Sequence, residues 1–332
     1  MLKTSAPAQY ILILIDMVEQ LGYSRELLLS GTSLAHSGIQ GIGARVSEDD
    51  FTRLVSKAFE LTGNKALGLH LGQRLNLSAH AVLGQAFMTC DNLEQVMELL
   101  LKYYHLLSPT LQLEFEIKQQ QCLLTTVTRP QDNPIYFSYE LMYAAMLNTL
   151  RGLLNLPELK VRVELPYPAP EHASEYFKVF GQDVHFDCLR GRFIFPQSLL
   201  DTALPSSNPA LRKLYEQECA RLLADLEEED SVAERTLRLL RKLEGQYPQM
   251  PTIAQMLNYS PRTYRRRLEQ ENYSYQQLLD QVRAEHATHY LKNTRLPLST
   301  IAYLVGFSDA SNFRRAYQKW SGQTPRAVRK GE

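Results

Sequence analysis

The chain has 332 residues, of which 44% are hydrophobic and 22% charged, with 36 basic residues balancing 36 acidic ones. That length suits about two domains of roughly 100–200 residues. The composition excludes a collagen repeat, a coiled coil and a disordered tail. The balance of charge hides an asymmetry: residues 231–332 hold 17 Lys and Arg against 8 Asp and Glu, a net of +9, leaving 19 against 28, a net of −9, elsewhere. An acidic body joined to a basic C-terminal part predicts that the basic part meets a polyanion.

The apolar run Tyr10–Ile15 stops at Asp16. It is far short of the ~20 residues that span a bilayer, and no cleavage site for a signal peptide follows. A cytoplasmic location with no membrane contact is expected. Cys90, Cys122, Cys188 and Cys219 are too dispersed for a zinc site or a disulfide framework. They read as small buried hydrophobes in a reducing compartment.

In chain order, Leu12, Ile15 and Val18 follow helical spacing up to Gly22, a C-cap residue. Ser24 opens a short helix to Leu29, and Gly31 with Gly38, Gly41 and Gly43 marks a loop. Ser47 followed by Asp50 predicts an N-cap and a helix to about Leu61. Asp91 is expected to cap a helix that buries Leu93, Val96, Met97, Leu100 and Leu101. Leu111, Leu113, Phe115 and Ile117 alternate with polar residues, and Cys122–Thr128 follows as the second arm of a hairpin. A helix is predicted over Pro134–Leu154, a strand over Leu159–Leu165 and a helix over Glu171–Phe180. Short strands follow at Val184–Phe186 and Phe193–Phe195, then a polar break at Pro205–Pro209. Helices at about 210–226 and 231–244 flank Glu227–Asp230, read as a solvated linker. The expected body is α+β with a small, mostly antiparallel sheet.

Beyond it lie two similar units about fifty residues apart. In the first, the helix Thr252–Leu257 leads through a turn at Asn258–Tyr259 to Ser260, an N-cap, and Pro261 at the first helical position. Tyr264 and Leu268 lie four apart and face a core. Arg262, Arg265 and Arg266 then share the outward face, with Thr263 early on the helix and Arg267 at its edge. In the second, Ser299–Val305 leads through Gly306 and Phe307 to a helix capped by Ser308 or Asp309. Phe313, Tyr317 and Trp320 form its inward stripe, leaving Ser311, Asn312, Arg314, Arg315 and Lys319 outside. Arg suits guanine edges and Asn suits adenine in the major groove, while Lys, Ser and backbone amides grip phosphate. A long helix over Tyr275–Leu291 would hold both units so that they enter successive grooves about 34 Å apart.

The run Gly306–Asp309, Asn312–Tyr317 and Trp320–Arg329 resembles the C-terminal signature of AraC/XylS transcription regulators. Ser260–Leu268 resembles the first recognition helix of that family, and Val282-Arg283 with His289–Leu291 its connecting helix. The resemblance spans about 247–330. It implies an all-α double helix-turn-helix domain over 231–332, with its units at about 250–270 and 298–320. DNA contacts would fall to Arg262, Thr263, Arg265, Arg266 and Arg267, then to Ser311, Asn312, Arg314, Arg315 and Lys319, with the bases met by Arg262, Arg265, Arg266, Ser311, Asn312 and Arg315. Much of 10–225 is similar to the N-terminal domain named for arabinose binding in a subset of these regulators, through Leu83–Ala86, Leu99–Ser108 and Phe193–Pro196. Its largely helical pattern does not suit a sugar-binding jelly roll. Residues 1–230 are thus expected to sense a small-molecule effector of unknown identity and to self-associate as a possible homodimer. Double-stranded promoter DNA is the expected partner, with RNA polymerase implied by the resemblance. An activator is expected, with a repressor or a ligand-independent regulator as the alternative.

An enzyme carrying a basic targeting unit is the competing class. His70, His80, His105 and His185 show no metal-ligand spacing, and no nucleophile, phosphate or dinucleotide motif appears. No catalytic residue, metal or cofactor is therefore assigned. Tyr103, Tyr104, Tyr136, Phe137, Tyr139 and Tyr143 could line a pocket, although helical aromatics are more often core.

Overall fold

A computed structural model describes residues 5–37, 44–108, 111–127, 136–229, 231–243, 245, 247–294 and 296–330. Two units are distinguished, one ending at Asp225 and one beginning at Leu226.

The first unit opens with β1 (Ser5–Pro7), paired antiparallel with β2 (Arg45–Ser47). These three-residue strands carry no sequence period and were not expected. Between them lie α1 (Ala8–Gln20), α2 (Arg25–Leu29) and α3 (Leu34–Ser37). Helix α1 buries Ile11, Leu14, Ile15 and Val18, and Gly22 follows it in the left-handed region. Ser24 caps α2 as expected. The Ser47 side chain accepts from the Asp50 amide and starts α4 (Glu48–Thr62).

Helices α5 (Leu67–Arg74), α6 (Ala81–Met88), α7 (Leu93–Tyr103) and α8 (Tyr136–Leu154) follow. Gly68 and Gly72 let α5 lie against α8: a Cβ on Gly68 would meet Phe137 O at 2.7 Å, and one on Gly72 would meet Ala144 Cβ at 2.6 Å. The cap of α7 is Asn92, whose side chain accepts from the Gln95 amide, not Asp91. Asp91 sits one residue too early and instead receives the Gln95 side chain. Leu101 lies at the margin of the apolar stripe and is exposed, while Leu99 is buried in its place.

The main sheet has the order β3-β4-β7-β5-β6, from β3 (Leu113–Lys118), β4 (Gln121–Thr126), β5 (Arg162–Glu164), β6 (Val184–His185) and β7 (Arg192–Pro196). All pairs are antiparallel except β5–β6. The hairpin turns through Gln119 and Gln120, both at positive φ, where Asn and Gly are the usual signals. Strand β5 is shorter than expected, though Val161, Val163 and Leu165 are all buried. Helices α9 (Ala173–Phe180) and α10 (Pro209–Glu229) follow, α10 continuing past Asp225. Glu227–Glu229 therefore continue a helix rather than forming a linker. The residues Gly38, Gly41, Gly43, Thr128, Pro134 and Asp230 lie outside the described set.

The second unit is helical among its described residues: α11 (Val232–Lys242), α12 (Met250–Met256), α13 (Pro261–Gln270), α14 (Tyr275–Asn293), α15 (Leu298–Leu304), α16 (Ala310–Ser321) and α17 (Pro325–Lys330). It has two small cores. Leu237, Leu240, Ile253, Tyr264 and Leu268 fill the first, and Leu291, Ile301, Val305, Phe313 and Tyr317 the second. Helix α14 gives Leu278 and Val282 to the first and Ala287 and Leu291 to the second. Among the described residues no helix is long and apolar enough to cross a membrane.

His80 is a buried structural histidine. Its Nδ1 lies 2.8 Å from Tyr10 Oη and its Nε2 3.0 Å from Thr149 Oγ1. Burial lowers its pKa to about 4. The unfolded chain binds this proton below about pH 6.5, but the folded chain does so only near pH 4. Stability is thus full above about pH 6.5 and falls by about 3 kcal/mol as the pH drops toward 4. Urea unfolding across that window should show His80→Gln with a flatter pH dependence than wild type; equal slopes would contradict it.

Candidate nucleic-acid interface

The basic residues expected to read DNA sit on two helices whose local sequence dictates their start, turn and underside. Pro261 occupies the first position of α13, where its missing amide costs nothing. The Ser260 side chain accepts from the Thr263 amide at 3.2 Å. Asn258 takes φ of 60° in the preceding turn, and the Tyr259 amide donates to Ala254 O at 2.8 Å. The second unit repeats this turn: Gly306 has φ of 80°, and the Phe307 amide donates to Ala302 O at 2.8 Å. The cap of α16 is Asp309 and not Ser308, its carboxylate accepting from the Ser311 and Asn312 amides. Those hydrogen bonds, the Asn312 amide's first, hold the Asp309 carboxyl below its usual pKa.

Tyr264 and Leu268 are buried beneath α13, as are Phe313 and Tyr317 beneath α16. Trp320 is only half-buried and packs on Phe307, with ring centres 5.7 Å apart. It belongs to the core rather than to a stacking platform.

On the outer side of α13, Arg262, Arg265 and Arg266 are exposed. No hydrogen bond or ion pair joins them to another described residue. Arg267 differs. Its guanidinium lies 5.0 Å from the Tyr259 ring centre, and Arg235 approaches the same ring at 5.6 Å. Thr263 is half-buried and its hydroxyl meets Ser260 Oγ at 2.8 Å.

On α16, Ser311, Asn312, Arg314, Arg315 and Lys319 are all exposed. Asn312 is engaged within the helix: its amide nitrogen donates to the Asp309 carboxylate, and Arg315 Nη2 donates to its carbonyl at 2.6 Å. The two candidate readers are thus already coupled. Direct adenine contact by Asn312 would require it to leave Asp309.

Several supporting residues escaped the sequence reading. The Glu271 carboxylate accepts from the Val232 and Ala233 amides, both at 2.8 Å, and caps α11 across the fold. Arg241 makes a two-pronged ion pair with Glu285, both contacts at 3.0 Å. Long-range partners of this kind have no spacing signature. Among the described residues no group of three or more His, Cys, Asp or Glu could hold a metal ion.

Residues 22–204 match the arabinose-binding N-terminal domain of AraC transcription regulators, and residues 253–331 match a helix-turn-helix domain. The ornithine utilization regulator of Pseudomonas aeruginosa is 37% identical over 320 residues, spanning 96% of this chain and 94% of that protein. The chain belongs to the AraC family. The regulator VqsM of the same organism is 26% identical over 276 residues, 77% of this chain and 81% of its own. The crystal structure of the P. aeruginosa regulator CdpR covers 83% of this chain and 91% of its own at 25% identity, with a TM-score of 0.41. This AraC-family protein is a DNA-binding transcription regulator and not an enzyme.

Loss of the α13 cap should weaken the fold, whereas loss of an outward arginine should not. Ser260→Ala is expected to lower stability by about 1 kcal/mol. Arg266→Ala should change it by less than about 0.5 kcal/mol. Denaturant midpoints of the two variants decide this, and a large loss in Arg266→Ala would reveal a structural role.

Proposed function

We propose that α13 and α16 read the two halves of a bipartite promoter site in successive major grooves. The supporting observation is the set of three exposed arginines on α13, without partners among the described residues, backed by a fully buried underside. Arg262, Arg265 and Arg266 contact bases in the first half, and Ser311, Asn312 and Arg315 in the second. Arg314 and Lys319 contact phosphate, and Arg267 and Thr263 brace α13 at the edge of the same surface.

The assignment of residues 1–230 as the sensing part and 231–332 as the DNA-binding part belongs to this reading. A small molecule bound by the first stabilises one of two states that differ in DNA affinity. The name of the ornithine utilization regulator makes ornithine and related basic amino acids the first effectors to test. The reading places the protein in the cytoplasm, as an activator that contacts RNA polymerase and binds DNA as a homodimer.

Selection of random duplexes by the full-length protein tests the reading at physiological salt, with and without those amino acids. Two half-sites about one helical turn apart are expected. Arg265→Ala and Arg315→Ala should each cost about 1–3 kcal/mol and relax base choice in one half only. A uniform loss on every sequence would make both residues phosphate contacts, and selection without any motif would refute sequence-specific reading.

A further inference from the structure

Two reading helices share one bipartite site only if the rotation between them is fixed. Successive base pairs of DNA turn by about 34–36°, since a helical turn holds 10–10.5 of them. An error of one base pair in spacing therefore points a reader at the wrong groove edge. Helix α14 joins both cores, but a shared helix alone leaves each unit free to rock on its own half.

Arg283 stands near the middle of α14, between the two cores. Its guanidinium carbon lies 5.3 Å from the ring centre of Tyr247, which precedes α12 of the first unit. It also lies 5.1 Å from the ring centre of Phe307, in the turn of the second helix-turn-helix unit. Nη2 points to Gly306 O at 3.4 Å. Nε is buried without a hydrogen-bond partner among the described residues, and burial lowers the pKa of the guanidinium. There is no spare room. A Cβ on Gly306 would stand 3.1 Å from Arg283 Nη2 and 3.2 Å from Tyr247 Cδ2. A half-buried cation that makes no ion pair with a described residue is poorly placed for charge pairing. A planar cation that touches a ring from each unit is well placed to hold them in register.

We propose that Arg283 is a positioning residue for DNA recognition: held against Tyr247 and Phe307, it sets the angle between the two helix-turn-helix units and so the half-site spacing the protein accepts. The proposal rests on the two-reader function above.

The probe is the bipartite duplex that the wild-type full-length protein selects from a random library. Derivatives carry one base pair inserted or removed between the halves, or one half scrambled. Wild type is expected to lose about tenfold or more in affinity for each single-pair change in spacing. Arg283→Met should bind the best spacing more weakly, yet lose less than about threefold on the same change. Its affinity for the duplex with one intact half should equal that of wild type. Arg283→Lys should fall between them. Tyr247→Leu should reproduce the relaxed spacing, whereas Tyr247→Phe, which keeps the ring, should not. If the Arg283 variants and Tyr247→Leu weaken binding equally at every spacing, Arg283 is an ordinary packing residue and the proposal falls. Unchanged binding overturns it as well. A wild-type protein with no preferred spacing would sink the two-reader function itself, a result visible before any variant is made.

Discussion

Tyr264 and Tyr317 are completely buried beneath α13 and α16, the candidate reading helices, and each hydroxyl meets a threonine. Thr236 on α11 lies 2.7 Å from the first, and Thr288 on α14 lies 2.6 Å from the second. The rings anchor each helix to its small core, and the hydroxyls have partners, so no buried polar group is left unmade there. Arginines on the outer face depend on this. A side chain can present a fork of donors to a base edge only from a backbone fixed in angle and height.

The net charge of the C-terminal part is therefore not all of one kind. Arg241 is committed to Glu285, and Arg235 and Arg267 share the Tyr259 ring. Arg283 lies against two other rings. These cations build the scaffold. Arg262, Arg265 and Arg266 stand apart, exposed and joined by no hydrogen bond or ion pair to another described residue. Composition counts both groups alike, so the basic C-terminus predicts a polyanion but overstates the number of readers.

The N-terminal unit shows buried polar chemistry of another sort. Glu140 on α8 is almost wholly enclosed, with Tyr176 Oη donating to Oε1 at 2.6 Å and His172 Nε2 at 2.5 Å. Burial raises its pKa, opposed by those hydrogen bonds. On the same helix, Tyr139 and Tyr143 are buried with ring centres 5.9 Å apart, and only Tyr136 of that helix's aromatics is half-exposed. Neither Glu140 nor His172 stood out in the sequence, because their pairing joins α8 to the residue that precedes α9. Three of the four cysteines are buried as expected, while Cys188 is half-exposed.

Features set by neighbouring residues were legible from the sequence alone. The caps at Ser24, Ser47 and Ser260, the Pro261 start, the Gly306 turn and the inward stripes of α13 and α16 each depend on residues a few positions apart. So did the basic face and the family signature that it carries. Where local signals competed, the outcome was decided elsewhere: Asn92 displaced Asp91, Asp309 displaced Ser308, and Glu227–Glu229 stayed helical. The short strands β1 and β2 formed because they pair with each other, not because either has a pattern. Only the tertiary structure shows that Arg267 and Arg283 face rings while Arg265 faces solvent. A run of like residues looks the same in sequence, and what separates its members is the partner that folding brings to each.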